Sequence, residues 1–166
     1  MKTQSKADSS IQQANDMKVK TNKRSNAMQR KVKFYKNGQI SKEKIFNGKH
    51  LISVRDFSSE GQLITESVFN IFSDGIEERY TSYFENGSRQ LEMNLKNKKA
   101  NGFASFWHEN GVLEMRKHIV NDIADGPCAE WNEQGVKTQD YSYSNGDIVE
   151  NDMSDSFFPT ESEVFF

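Results

Sequence analysis

The glycines of this 166-residue chain are spaced with a regularity that few folds allow. All ten lie between positions 38 and 146 and form two interleaved series. The first series, which steps by 23, 26, 24 and 24 residues, is Gly38, Gly61, Gly87, Gly111 and Gly135. The second series alternates with it and is Gly48, Gly75, Gly102, Gly126 and Gly146. A fixed period of this length is typical of repeat proteins. We therefore expect five repeats stacked in one array.

The residue before each glycine indicates the kind of connection. It is Asn six times, Asp twice, and Glu60 and Gln134 once each. Asn-Gly and Asp-Gly are strong hairpin signals, because type I′ turns need positive φ at both central residues. Short segments rich in strand formers, such as residues 103–109 and 127–133, separate these turns. The pattern predicts an all-β, elongated single-layer antiparallel meander of five hairpin repeats, about ten strands, with flexible N- and C-terminal tails.

An aromatic residue stands four positions before every glycine of the first series. These residues, the aromatic column, are Phe34, Phe57, Tyr83, Trp107 and Trp131. Because side chains alternate along a strand, the equal offset places all five on one face. Leu63, Leu91 and Leu113 of the intervening strands are expected to fill the gaps between them. We favour a covering role for the column, and a ligand-stacking platform is the alternative.

Charge divides the chain into three zones. Residues 1–36 hold ten Lys or Arg and two acids, whereas residues 147–166 hold six acids and no Lys or Arg. We predict a basic polar tail over 1–30, disordered or loosely helical, a repeat domain over 31–147, and an acidic tail over 148–166. The acidic tail contains Phe157-Phe158 and Phe165-Phe166. These apolar pairs are either a docking segment or a cover for the last strand edge.

Groups that could support catalysis are sparse. His50, His108 and His118 have no metal-ligand spacing, and Cys128 has no CxxC partner. We expect His108 to be solvated and Cys128 to pack, and we expect no enzyme activity, no metal and no cofactor, since phosphate-binding loops are also missing. A single cysteine, no apolar run of transmembrane length and no signal-like start predict a cytoplasmic protein.

The best-formed repeats resemble a known family. Tyr83-Phe-Glu-Asn-Gly87, then Leu91 and Asn97, then Asn101-Gly-Phe-Ala-Ser-Phe-Trp-His-Glu-Asn-Gly111, is similar to the MORN-variant repeat, and residues 111–135 repeat the pattern. The resemblance covers about residues 31–147. The first two units are degenerate, because residues 57–61 lack the Asn and residues 69–80 carry extra residues. Bacterial proteins of this pattern, the YwqK-like family, are regarded as antitoxins, which implies a protein that binds a toxin or effector.

The resemblance therefore implies a non-catalytic protein-binding module, antitoxin-like, that neutralises or scaffolds a protein partner through a sheet face. The expected partner-binding residues are outward aromatics and their neighbours in the best-formed repeats: Tyr83, Phe84, Phe106, Trp107, His108 and Trp131.

The alternative is a peripheral membrane protein whose basic N-terminal segment binds anionic lipid. The basic residues of that segment are Lys18, Lys20, Lys23, Arg24, Arg30, Lys31 and Lys33. Such a segment also binds phosphate backbones without reading sequence. The acidic repeat body argues against specific nucleic-acid recognition.

Overall fold

The computed structural model describes residues 27–149 and Phe158, which form one antiparallel sheet with a single phenylalanine packed on it. The strands pair in sequence order, each with the next. They are β1 (Met28–Phe34), β2 (Ile40–Asn47), β3 (His50–Phe57), β4 (Leu63–Phe72), β5 (Gly75–Tyr83), β6 (Arg89–Lys96), β7 (Lys99–Trp107), β8 (Leu113–Val120), β9 (Ile123–Trp131), β10 (Lys137–Ser144) and β11 (Asp147–Val149). The predicted all-β, single-layer meander is confirmed, with eleven strands instead of about ten.

The sheet extends beyond the predicted repeat domain at both ends. β1 begins at Met28, in the segment assigned to the basic tail, and β11 ends at Val149, in the acidic tail. The rest of both tails, and with it the expectation of a disordered or loosely helical head, lies outside the described residues. In the part of the chain that is described, no helix has the length and apolar character needed to cross a membrane.

One row of directly opposed residues runs unbroken from β1 to β10. It consists of Val32, Glu43, Arg55, Glu66, Thr81, Glu92, Ser105, Arg116, Ala129 and Asp140. Opposed residues of a ladder point to the same side of a sheet, so this row defines one side, the front face. The other side, the back face, carries the adjacent row: Lys31, Lys44, Val54, Ser67, Tyr80, Met93, Ala104, Lys117, Cys128 and Tyr141.

The aromatic column lies on the front face, as predicted. Each of its members follows a residue of the front-face row by two positions, as Trp107 follows Ser105, and alternation returns it to the same side. Phe34, on the edge strand, is 60% exposed, and the other four are half-buried. The column therefore covers the sheet only in part.

The expected filling of the column is right at two of three positions. Leu63 and Leu113 lie opposite the aromatic residues of their hairpins. Leu91 does not, because one residue after each first-series turn is skipped in the register; Leu91 pairs instead with Phe106 on the back face. Arg89 takes the place opposite the aromatic residue of its hairpin. That difference places a cation within the column.

The first-series turns are not of the predicted type. In the hairpin at residues 108–112, the Gly111 N–H donates to the His108 carbonyl at 2.9 Å, and the His108 N–H donates to the Val112 carbonyl at 2.9 Å. The same pair of bonds closes the other four hairpins of this series. Only the glycine has positive φ, +88° at Gly111. These are type I turns followed by a left-handed glycine that forms a bulge, so the type I′ prediction is wrong here.

Asparagine precedes these glycines because of its side chain. Asn110 Oδ1 accepts the Val112 N–H at 3.0 Å, and Asn110 Nδ2 donates to the Glu133 carbonyl of the next turn at 2.9 Å. Equivalent bonds are made by Asn37 and Asn86. In the degenerate second turn, where Glu60 replaces Asn, Gln62 Nε2 supplies the bond to the next turn at 2.9 Å. The first-series turns are thus tied to one another along one end of the strands.

The second glycine series is not uniform. Type I′ turns, with positive φ at both central residues, lie at Asn97-Lys98, Asn121-Asp122 and Asn145-Gly146. Three glycines lie within strands instead: Gly75, Gly102 and Gly126. The prediction of a hairpin turn at each of the ten glycines is therefore wrong. At Gly126, φ is +113° and an added Cβ would lie 3.1 Å from His118 Cβ, so the backbone there needs glycine.

A single layer buries little. The buried hydrophobic residues in the described part of the chain are Ala100, Ala104, Cys128, Ala129 and Phe158. Most larger apolar side chains stay half-exposed, because among residues 27–149 all the strands belong to one layer and only Phe158 is described on top of it. In the described residues, each strand therefore gains its support mainly from the neighbouring strands of the sheet.

Candidate partner-binding surface

The six predicted partner-binding residues do not share one surface. Three lie in the aromatic column on the front face: Tyr83, Trp107 and Trp131. Phe106 precedes Trp107 in β7 and therefore points to the back face, where it pairs with Met115. Phe84 and His108 are the first residues of first-series turns, at the ends of the strands. The structure thus separates the predicted set into front face, back face and turn positions.

His108 joins two hairpins. Its Nε2 lies 2.9 Å from the Trp131 carbonyl of the next hairpin, and the residue is half-buried. At the equivalent position of the first hairpin, the Tyr35 hydroxyl donates to the Phe57 carbonyl at 2.7 Å. The expectation of a solvated His108 is therefore wrong, because its ring links neighbouring repeats.

The front face of β1–β4 is covered by an ion-pair ladder. Glu43 accepts a hydrogen bond from Arg30 Nε and lies 3.3 Å from Arg55 Nη1, and Arg55 Nε lies 2.7 Å from Glu66 Oε1. The hydrogen bond from Arg30 lowers the pKa of Glu43 from its ordinary value, with burial opposing that effect. The hydrogen bond to Glu66 raises the pKa of Arg55. These charges satisfy one another within the sheet.

The front face of β7–β10 carries an aromatic cluster with a cationic rim. Phe158 is 6% exposed, and its ring lies edge-on to Phe103 and Trp131, with centroid distances of 6.0 and 5.9 Å. The Arg116 guanidinium lies 4.4 Å from the Phe103 ring centroid and 5.9 Å from that of Phe158. Lys137 Nζ donates to the Phe158 carbonyl at 3.0 Å. We name the surface formed by Phe103, Arg116, Trp131 and Lys137 the Phe158 cleft.

This cleft bears on the two interpretations of the acidic tail. Phe158 packs on the sheet face of its own chain, over β7–β9, and not along the edge strand β11. Phe158 thus folds back onto its own chain, as the covering interpretation expects, but it covers the face of β7–β9 instead of the last strand edge. Docking of the acidic tail to a partner stays a prediction. Phe157 and the Phe165-Phe166 pair lie outside the described residues.

Between the ladder and the cleft, arginine again meets the aromatic column. The Arg89 guanidinium lies 4.7 Å from the Trp107 ring centroid. Burial raises the pKa of the Tyr83 phenol, so this hydroxyl remains protonated at neutral pH. The front face from β5 onward therefore presents aromatic rings with guanidinium groups over them.

The cysteine of the back face is buried. Cys128 is 0% exposed, and burial raises the pKa of its thiol, which disfavours the reactive thiolate. Its expected packing role is confirmed. Tyr141 donates to Glu130 Oε1 at 2.8 Å, and burial raises the pKa of its phenol. Within residues 27–149, together with Phe158, no three His, Cys, Asp or Glu residues are grouped to hold a metal ion.

A cleft of about 440 Å³ opens on the back face beside the β4–β5 hairpin. Its apolar lining residues are Leu51, Phe69, Ile71 and Ile76. Ile71 and Ile76 pair with each other and are 45% and 47% exposed. The extra residues of the degenerate repeat, over 69–80, thus produce an exposed apolar patch instead of disrupting the strand order.

A lysine patch occupies the back face of the first hairpin. Lys31 lies directly opposite Lys44, and Lys33 lies opposite Lys42. Lys42 Nζ forms an ion pair with Asp56 at 2.9 Å. Like charges opposed across strands are destabilising, so this arrangement opposes folding. Sequence reasoning counted Lys31 and Lys33 in the basic head and missed Lys42 and Lys44, whose relevance depends on strand register.

Comparison with known proteins adds little to the geometry. No family model and no curated protein matches the chain. One solved structure, a protein of unknown function from Bacteroides fragilis, is similar at 9% identity over 71% of this chain and 93% of that chain, with a TM-score of 0.21. A TM-score this low supports no argument about fold or function.

Proposed function

We propose that the chain is a non-catalytic protein-binding repeat module, antitoxin-like, that captures a protein partner on the front face of its sheet. The observation that supports this proposal is the front face of β5–β10, where Arg89 lies over Trp107 and Arg116 over Phe103, and where Phe158 covers part of β7–β9. Aromatic and arginine side chains concentrate the binding energy of protein interfaces. The resemblance to MORN-variant repeats of the YwqK-like family points in the same direction.

The proposed mechanism is occlusion. The ladder of β1–β4 holds its own charges, so it acts as scaffold, whereas the column residues Tyr83, Trp107 and Trp131 act as contacts. A partner that binds across several strands has the surface that it uses for binding covered over the width of those strands. Covering that surface requires no catalytic group. Phe106, on the back face, is not a contact in this arrangement.

The test compares two neighbouring residues that point to opposite faces. Trp107→Ala and Phe106→Ala are each co-expressed with proteins encoded beside this gene, and the complexes are measured by titration. We expect Trp107→Ala to weaken binding at least about ten-fold, as for an interface anchor, and Phe106→Ala to retain the partner. Circular dichroism and thermal melts establish that both variants are folded. Retention by Trp107→Ala together with loss by Phe106→Ala contradicts the proposal.

A second candidate function is supported by the lysine patch. Four lysines on one face, with Lys31 Nζ 5.0 Å from the Phe46 ring centroid, form a surface suited to anionic lipid. Lys42→Glu with Lys44→Glu should then abolish sedimentation with phosphatidylserine vesicles at low salt. The matched control reverses two lysines elsewhere, Lys98 in the β6–β7 turn and Lys99 at the start of β7. Equal sedimentation of both double variants contradicts a membrane role for the patch.

A further inference from the structure

We propose that the Phe158 cleft is a recognition site for a phenylalanine within an acidic peptide segment, and that Phe158 is its built-in competitor. This inference rests on the proposed protein-binding function and specifies the chemistry of the partner. The partner presents one phenylalanine, its main-chain carbonyl and flanking carboxylates. In its absence the chain's own Phe158 occupies the site.

The contacts within the cleft select a phenylalanine ring. Phe103 and Trp131 meet the Phe158 ring at interplanar angles of 71° and 83°, so the ring is held edge-to-face from two sides. Such geometry is the preferred one for aromatic pairs. Phe103 is itself braced by His118, with ring centroids 5.1 Å apart, and His118 Nδ1 lies 2.7 Å from the Asp125 carbonyl. The receiving surface is therefore positioned by bonds within the sheet.

The cleft also recognises a peptide backbone. Lys137 Nζ donates to the Phe158 carbonyl at 3.0 Å and lies 3.0 Å from Asp140 Oδ2, which orients the ammonium group. A free aromatic molecule has no such carbonyl. The hydrogen bond thus favours a phenylalanine that is part of a chain.

Charge selects the flanking sequence. Arg116 and Lys137 place two cations beside the bound ring. The segment that supplies Phe158 is acidic, since residues 150–166 contain five Asp or Glu and no Lys or Arg. Complementary charge of this kind increases association rates and rejects basic partners. A basic peptide with the same phenylalanine is therefore a poor ligand.

Phe158 competes with a partner from within the same chain. It follows Val149, the last residue of the sheet, by nine positions. A ligand linked to its site over that number of residues has an effective concentration of about millimolar. A partner that makes further contacts on the front face can bind tightly enough to displace it. The apparent affinity for any ligand in trans is reduced by the fraction of clefts that Phe158 occupies. Removing Phe158 should therefore increase that affinity.

The experiment uses full-length protein and a fluorescein-labelled peptide of residues 150–166. Fluorescence polarisation should show at least about ten-fold tighter binding to Phe158→Ala than to the wild type, because the internal competitor is gone. Phe72→Ala, which removes a 51% exposed phenylalanine at the end of β4, is the control and should bind like the wild type. Adding Arg116→Ala to Phe158→Ala should remove most of the gain, whereas adding Arg55→Ala, from the same row of the sheet, should not.

A second measurement needs no destabilising change. With 4-fluorophenylalanine at position 158, excess unlabelled peptide should move the fluorine resonance to its value in the free peptide. Equal affinity of the wild type and Phe158→Ala, no binding to either, or an unmoved resonance overturns the inference. The protein-binding function survives that result if the Trp107 and Phe106 variants still differ toward a partner protein. It fails separately if they do not.

Discussion

Two halves of the front face use the same scaffold differently. Arg55 on β3 and Arg116 on β8 belong to one unbroken row of the sheet. Arg55 is opposed by Glu43 and Glu66 and forms ion pairs with both. Arg116 is opposed by Ser105 and Ala129, so its guanidinium lies against aromatic rings instead. In this single-layer sheet the cross-strand neighbours therefore decide whether an arginine forms ion pairs within the sheet or lies against aromatic rings.

The largest expected effect concerns the backbone beneath the cleft. Gly126→Val should cost about 3 kcal/mol or more, because strain at positive φ adds to overpacking against His118. Gly111→Val, where an added Cβ meets nothing within 4 Å, should cost about 1 to 2 kcal/mol from backbone strain alone. Urea melts measure both free energies of unfolding. Equal costs would mean that the close approach to His118 does not matter.

The next largest effect is the loss of stability on replacing Arg55 or Arg116, which should respond differently to salt. Arg55→Met should cost about 1 kcal/mol at low salt, a modest figure because the side chain is 44% exposed. Most of that cost should disappear in high salt. Arg116→Met should cost about 0.5 to 1 kcal/mol, from lost contact with the rings, and that loss should persist in high salt. Thermal or urea melts at two salt concentrations provide the comparison. The same salt response for both variants contradicts the division into ladder and cleft.

The ion-pair ladder of β1–β4 should make the free energy of unfolding depend on pH. The folded-state pKa of Glu43 is lowered by its hydrogen bond from Arg30. Its contribution to stability is therefore present above the unfolded-state pKa, near 4.5, and is lost as pH falls through the folded-state pKa. Glu43→Gln should flatten the decline of unfolding free energy below that pH. If the free energy of unfolding falls with pH in the same way for the variant and the wild type, Glu43 does not contribute to the acid sensitivity.

The smallest effect compares a regular turn with a degenerate one. Asn110→Ala should cost about 1 kcal/mol, since two hydrogen bonds are lost. Glu60→Asn, which restores the repeat pattern, should change the free energy of unfolding by only a few tenths of a kcal/mol in either direction, because Gln62 already bonds to the next turn. Urea melts of both variants measure these changes in the free energy of unfolding. A stabilisation above about 1 kcal/mol at residue 60 would show that Gln62 is a poor substitute.

Much of the fold could be predicted because it is local. The four-residue offset between Trp107 and Gly111 is set by the hairpin turn, and the same turn recurs in every first-series hairpin. One residue after each of these turns is then skipped in the register. The same locality explains the error at Leu91, because a skip of one residue moves a side chain to the other face. The role of Asn110 was missed for a different reason. Its amide bonds to a turn 23 residues later, which only the stacked structure brings near.

The candidate site was less predictable than the fold. The alternation of side chains along β7 predicts that Phe106 and Trp107 point to opposite faces. Which residues of the other strands share each face depends on the register of the whole sheet, which the sequence does not give. The apolar pair Phe157-Phe158 indicates that this segment docks or covers a surface, but the sequence does not indicate that Phe158 lies on the face of β7–β9. The pairing of Lys31 with Lys44 likewise depends on register.

Site-specific photocross-linking tests whether the front face of the sheet captures the proposed protein partner. Benzoylphenylalanine is placed at Ser105, opposite Arg116 on the front face, or at Met115, opposite Phe106 on the back face. Both positions are half-buried and lie on adjacent strands, so they differ mainly in the side they face. We predict a cross-link to the co-purified partner from position 105 and none from position 115. A cross-link from position 115 alone contradicts the account.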